Sequence, residues 1–272
     1  MKHSELRLEN IGCATRDVSQ NNAPRSFARH MDAVTPALAF ASLTKSYGKT
    51  EAVRSLSLEV GAGTTFGLVG ANGAGKTTLL KCLLDFCRTD AGIINVFGIP
   101  STRTDARSRL AFLPEQFLPP YYLTGKDFLK FMSQMYAHEY DERKCGSMLA
   151  ALDLAPEVLA RPVRFLSKGM TQKLGLAGCL LSERELLVLD EPASGLDPKA
   201  RALFKAALQA ARSAGQTVFM TSHALADVDE TCDRIGVMHQ GELRYTGDPA
   251  SFKQQYGAGT LEQAFLQCIG EK

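Results

Sequence analysis

The sequence predicts an α/β fold: a mostly parallel sheet, an antiparallel β subdomain beside it, and an inserted helical subdomain. Three observations carry this. From Ala37 onward, short apolar or β-rich runs alternate with helical patterns. The first two runs have no helix between them, which is the mark of a hairpin. Between Gln116 and Phe165 the strand pattern stops and only helical periodicity remains.

Taken in order, the strand-like runs are Leu38 to Ser42, Val53 to Val60, Thr64 to Val69, Ile93 to Phe97, Leu110 to Leu113, Leu186 to Leu189, Thr217 to Thr221 and Arg234 to Met238. In the helical stretch, "TGKDFLKFMSQMYAH" sets Phe128, Phe131, Met132 and Met135 at helical spacing, and "DERKCGSMLAALDL" adds Met148, Leu149 and Leu152. Such a stripe is expected to be the subdomain's own core. The domain is expected to span 37–248, with its helical part at about 117–182 and a helical tail at 249–272. Residues 1–36 lack periodicity and carry an Asn/Ser/Arg/Pro cluster, so a mobile extension is expected there, with natural translation starting at Met31.

Bulk properties narrow the function. The 31 basic and 29 acidic side chains leave a formal charge of +2, which gives no bulk attraction for nucleic acid or an anionic membrane. The seven cysteines are odd in number and scattered, as expected of reduced thiols in a cytosolic chain. No apolar run approaches the roughly 18 residues of a membrane span, and no secretory signal is apparent.

The chemistry-bearing motif is Gly70-Ala71-Asn72-Gly73-Ala74-Gly75-Lys76-Thr77, set between a strand and a helix. This is the P-loop pattern in the context it requires. Its glycines let backbone N–H groups turn inward around an anion, and the helix that follows adds the positive end of its dipole. Lys76 is placed to bridge phosphates, and the Thr77 hydroxyl to ligate Mg²⁺. A second element, "ELLVLDEP", ends a buried strand in Asp190 and Glu191. Asp190 suits Mg²⁺, and Glu191 suits polarising the attacking water.

The P-loop, "LSKGM" at 166–170, "LLVLDEP" at 186–192, "SGLDP" at 194–198 and "TSH" at 221–223 together resemble the ATP-binding subunit of an ABC transporter, a P-loop NTPase, over about Leu38 to Asp248. The resemblance implies two such domains paired head to tail, as a homodimer or with a homologous ATPase subunit, each ATP held between one P-loop and the other's signature motif. Lys76, Thr77 and Thr78 would serve the phosphates in cis. Ser167 and Gly169 would close on the γ-phosphate of the other subunit's ATP, with Lys168 either near that phosphate or turned to solvent. Glu191 would be the general base, Asp197 would lie at the subunit contact, and His223 would hold the γ-phosphate and attacking water. Tyr47 matches the aromatic that stacks on adenine. The family's Mg²⁺-sensing glutamine follows a proline; here "FLPEQ" offers Glu115 and then Gln116, and spacing does not choose between them.

The resemblance further implies ATP and Mg²⁺ as cofactors, an integral membrane permease as partner, and a place on the cytoplasmic face of the cell membrane, with no nucleic acid expected. "LSKGM" and the C-terminal "TLEQAFLQCIGEK" are similar to exporter-associated members, favouring export. The alternative is a non-transport ABC ATPase acting on a ribosome or DNA complex; a single P-loop, no sustained heptads and no basic block weigh against it. No guanine-reading "NKxD" is present, and Lys76, Asp190, Glu191 and His223 all stand, which weighs against a GTPase and against an inactive module.

Overall fold

The computed structural model describes residues 35–270, so all but the last two residues of the expected mobile extension, and the expected start at Met31, lie outside the described residues. The chain opens with β1 (Leu38–Tyr47) and β2 (Thr50–Val60), an antiparallel hairpin turning at Gly48-Lys49. β3 (Thr65–Val69) is buried along its length and runs through the P-loop into α1 (Lys76–Leu83). β4 (Ala91–Val96) returns to pair antiparallel with β1, and β5 (Ile99–Pro100) pairs with β4. The short α2 (Thr104–Arg107) then leads to β6 (Leu110–Leu113).

The helical insertion holds α3 (Gly125–Met135), α4 (Glu142–Ala151), 3-10 turns at Pro156–Leu159 and Val163–Phe165, and α5 (Lys168–Leu180). α3 begins with a capping box, Thr124 accepting from Asp127 N and the Asp127 carboxylate accepting from Thr124 N. Its apolar stripe differs from the expected one. Phe128, Leu129 and Ser133 are buried and Met132 partly so, while Phe131 is 43% and Met135 66% exposed. The buried face is centred between Phe128 and Leu129 at 100° per residue, which leaves Phe131 and Met135 on its flank.

Beyond the insertion the chain alternates again: β7 (Leu186–Asp190), α6 (Pro198–Ser213), β8 (Thr217–Ser222), α7 (Leu225–Thr231), β9 (Arg234–His239), β10 (Glu242–Gly247), α8 (Pro249–Gln255) and α9 (Leu261–Ile269). The larger sheet has the order β10-β9-β3-β8-β7-β6, parallel except for β10. The second sheet is antiparallel, β2-β1-β4-β5. β10 follows a turn in which Gln240 and Gly241 both have positive φ, the twist-matched geometry of a two-residue hairpin.

The period-2 alternation of side chains divides the interior in two. Leu186, Val188, Phe219, Phe66 and Leu68 face α1 and the antiparallel sheet. Leu187, Leu189, Val218, Met220, Ile235 and Val237 face the helical insertion and the C-terminal helices. Phe252, Leu261, Ala264 and Phe265 of α8 and α9 are buried in that second cluster. A sheet covered on both faces explains why its strands read as continuous apolar runs.

Register sets the site. Val69 pairs with Ser222 and Asp190 with Thr221, so the carboxyl ends of β3, β8 and β7 finish along one edge. The P-loop, Glu191 and His223 leave from that edge together, where open parallel sheets place their ligands.

Candidate active site

The cradle starts with backbone conformation. Gly73 (φ 82°) and Gly75 (φ 108°) lie in the left-handed region, and a Cβ on Gly75 would meet Ala52 O at 2.2 Å and Met238 Cε at 2.6 Å. Only glycine satisfies both constraints at that point. α1 then starts with no acidic residue in its first turn, leaving the positive end of its dipole uncompensated. Lys76 is buried, its Nζ donating to Gly70 O at 2.5 Å and Ala71 O at 3.4 Å and lying 3.7 Å from Glu191 Oε1. Burial lowers its pKa, an effect opposed by the charges of Glu191 and Asp190.

Across the cavity, Asp190 accepts from the Thr221 hydroxyl at 2.5 Å, and the same hydroxyl accepts from Glu191 N at 3.0 Å. Burial raises the Asp190 pKa; the Thr221 bond opposes the rise, and the neighbouring charges of Glu115 and Glu191 add to it. Glu191 adopts φ 47°, unusual for a side chain with a Cβ and a strain of about 1–3 kcal/mol held by its surroundings. Its Oε2 accepts from His223 N at 3.2 Å and lies 2.8 Å from His223 Nδ1. Glu191 therefore bridges the P-loop lysine and the histidine after β8. Ala52, Ala71 to Thr78, Glu115, Asp190, Glu191 and His223 enclose about 240 Å³.

The ABC transporter family model matches residues 53–194, which include the P-loop and both acids. The chain belongs to the ABC transporter family. Among its curated relatives is an uncharacterized ABC transporter ATP-binding protein of Synechocystis, 38% identical over 74% of this chain and 58% of its own length. The Nod factor export ATP-binding protein I of Mesorhizobium japonicum is 35% identical over 94% of this chain and 76% of its own. The linearmycin resistance ATP-binding protein of Bacillus subtilis is 30% identical over 85% and 75%. The chain spans about three fifths of the length of the first two curated relatives it matches. A solved ATP-binding subunit of an ABC transporter superposes with a TM-score of 0.78 at 24% identity over 85% of this chain and 99% of its own, a likeness of fold.

In this ABC transporter chain the cavity unites Lys76, Thr77, Thr78, Glu115, Asp190, Glu191 and His223 with Ala71 to Gly75. Gly70 contributes its carbonyl to Lys76. Glu115 lines the cavity and Gln116 does not. Tyr47 is half-exposed beyond the lining, its hydroxyl directed at Cys87. Ser167, Gly169 and Asp197 also lie outside the lining. Ser167 caps α5 by accepting from Met170 N, and Asp197 caps α6 by accepting from Ala200 N. A Cβ on Gly169 would enter open space. The Lys168 side chain passes Gly195, its Nζ 3.7 Å from where a Cβ on that glycine would lie.

Two contributors were not singled out by sequence reasoning. Thr221 positions both acids, and its signal was available: a polar residue in a buried strand one step from "SH". Ala52 of β2 supplies the carbonyl that forbids a side chain at Gly75 of the P-loop, a contact between segments 23 residues apart that no local pattern reveals.

Proposed function

We propose that this chain binds and hydrolyses ATP with Mg²⁺, pairs with a second copy or a homologous ATPase subunit, and drives a separately encoded membrane permease in export. The observation that carries this is the meeting of Lys76, Asp190, Glu191 and His223 in one cavity at the P-loop. The residues fit the cofactor. Left-handed glycines at 73 and 75, a buried Lys76 and a helix start with no acidic residue suit a polyphosphate. Mg²⁺ in such sites takes most of its oxygens from phosphate and water and needs only one or two protein ligands. Thr77 and Asp190 would hold Mg²⁺, with Glu115 in reach of its water, and bound Mg²⁺ would neutralise charge developing on the phosphates.

Glu191 is the group placed to take a proton from water, its carboxylate oriented by His223 and its backbone by Thr221. Ser167 and Gly169 lie outside their own chain's cavity with an open surface at Gly169, which supports their serving a nucleotide held by the paired subunit. A permease partner is supported by exposed apolar side chains: Leu118, Tyr121, Tyr122, Phe131, Met135 and Phe165. Among the described residues no helix is long and apolar enough to cross a membrane, so membrane association on the cytoplasmic face would come through that partner. Two relatives, a Nod factor export ATP-binding protein and a linearmycin resistance ATP-binding protein, lend weight to export.

Glu191→Gln should retain ATP, lose hydrolysis and accumulate as a dimer by light scattering with Mg·ATP. A persistent monomer at saturating ATP refutes the paired mechanism.

A further inference from the structure

α1 does not run straight on after Leu83. Asp85 takes φ 61°, and Phe86 N and Cys87 N both turn back to Lys81 O, at 2.8 and 3.3 Å. This reversal lays Cys87 against the last turn of the P-loop helix. Its Sγ lies 3.5 Å from Cys82 Sγ. A disulfide needs about 2.05 Å, so closure of about 1.5 Å would join them.

The same sulfur has a second partner. The Tyr47 hydroxyl donates to Cys87 Sγ at 3.7 Å, and Asp90, three residues on, accepts from Lys45 Nζ at 2.9 Å and Ser46 N at 2.6 Å. The segment after α1 thus holds the end of β1 at Lys45, Ser46 and Tyr47. Both cysteines line a surface cavity of about 730 Å³, which gives a small oxidant access. Their exposures differ: Cys82 is buried and Cys87 partly exposed.

We propose that Cys82 and Cys87 are an oxidisable dithiol, an intramolecular disulfide site whose closure loosens Tyr47 and weakens nucleotide binding at the base end of the P-loop site. This rests on Tyr47 being the residue that stacks on adenine. With a hydroperoxide as oxidant, the Cys87 sulfur takes the peroxide's terminal oxygen and becomes a sulfenic acid, releasing water when the peroxide is H₂O₂. Cys82 sulfur then attacks Cys87 sulfur, the S–O bond breaks, and the departing hydroxide takes the Cys82 proton as a second water. Two thiols are oxidised and one peroxide is reduced to two waters. Burial pushes the Cys82 thiol up to about 12, so Cys87 is the site of first oxidation and Cys82 the resolving partner. Drawing Cys87 Sγ toward Cys82 removes the acceptor of the Tyr47 hydroxyl. A reversible disulfide of this kind suits a reducing compartment, where such bonds serve as sensors.

The test treats the full chain with H₂O₂ and quenches with catalase. Intact mass should lose two hydrogens, and a peptide pair linking Cys82 to Cys87 should appear under non-reducing digestion. ATP Kd should rise about three- to tenfold, the loss of one hydrogen bond and some stacking order. Dithiothreitol should restore it, which methionine oxidation would not allow. Binding of inorganic tripolyphosphate, which has no base, should be unchanged, and Cys87→Ser should show neither the link nor the shift. Absence of the linked peptide overturns the proposal, as does a linked protein with unaltered ATP affinity or an equal loss of tripolyphosphate. A wild-type Kd for ATP in reduced Tyr47→Ala would instead sink the stacking assignment. Failure of the reduced wild type to bind either ligand would sink the nucleotide reading itself.

Discussion

Thr221→Val tests whether one buried hydroxyl organises both acids. The substitution keeps shape and volume while removing the donor to Asp190 at 2.5 Å and the acceptor for Glu191 N at 3.0 Å. Thr221 is fully buried, with Asp190 7% and Glu191 8% exposed, so water does not readily replace the lost partner. A hydrogen bond to a charged group contributes about 1.5–3 kcal/mol, and a buried N–H left unpaired costs about 1–3 kcal/mol. The two share one hydroxyl and relax together, so we take about 3 kcal/mol for the pair. In a domain of this size that lowers Tm by about 6–12 °C. Circular dichroism melts and a steady-state ATPase assay read the two consequences. Thr221→Ser, which keeps the hydroxyl and loses a methyl, should retain most of the activity and melt within a few degrees of wild type. A Thr221→Val protein with wild-type Tm and turnover would refute the assignment, and so would a Thr221→Ser protein as impaired as the valine variant.

Three further outcomes follow from the same geometry. Gly75→Ala forces a Cβ against Ala52 O at 2.2 Å at φ 108°, so nucleotide binding measured by calorimetry should fall by at least about tenfold, with a Tm loss of several degrees. Asp190 has a folded-state pKa above its ordinary value of 3.8; the folded state then holds the proton more tightly, and its ionisation costs stability as pH rises through that pKa. Asp190→Asn should therefore melt at or above the wild-type temperature at neutral pH, the advantage fading as pH falls below that pKa, while Mg²⁺-dependent hydrolysis drops by about a hundredfold or more. Glu115→Ala should raise the Mg²⁺ concentration needed for half-maximal ATPase rate by severalfold while Gln116→Ala leaves it unchanged, since Glu115 alone of the two lines the cavity.

Much of the site was legible because phosphate binding imposes local rules. A backbone cradle requires glycines at fixed spacing beside a lysine, and the strand before and helix after it announce themselves by apolar runs and periodicity. The same holds for "LLVLDEP", whose four apolar residues ending in two acids describe a buried strand delivering charge to an edge. The α3 stripe was less legible. Spacing alone fits several faces of a helix, and which one is buried was settled by the partners, leaving Phe131 and Met135 outside. Strand β10 was missed although "HQGELRY" carries its turn, because an edge strand has a weak apolar signal.

The sequence by itself determined the α/β class, the P-loop, the paired acids and the order of the motifs, because each depends on residues within one short stretch. Only the tertiary structure decided which segments and side chains packing brings together. The β7–β8 register sets Thr221 against Asp190, the hairpin carbonyl of Ala52 closes over Gly75, and Glu115 rather than Gln116 reaches the cavity. The turn after α1 brings Cys87 between Cys82 and Tyr47. These contacts depend on how turns are made and how elements pack, and residue spacing alone does not encode the resulting distances.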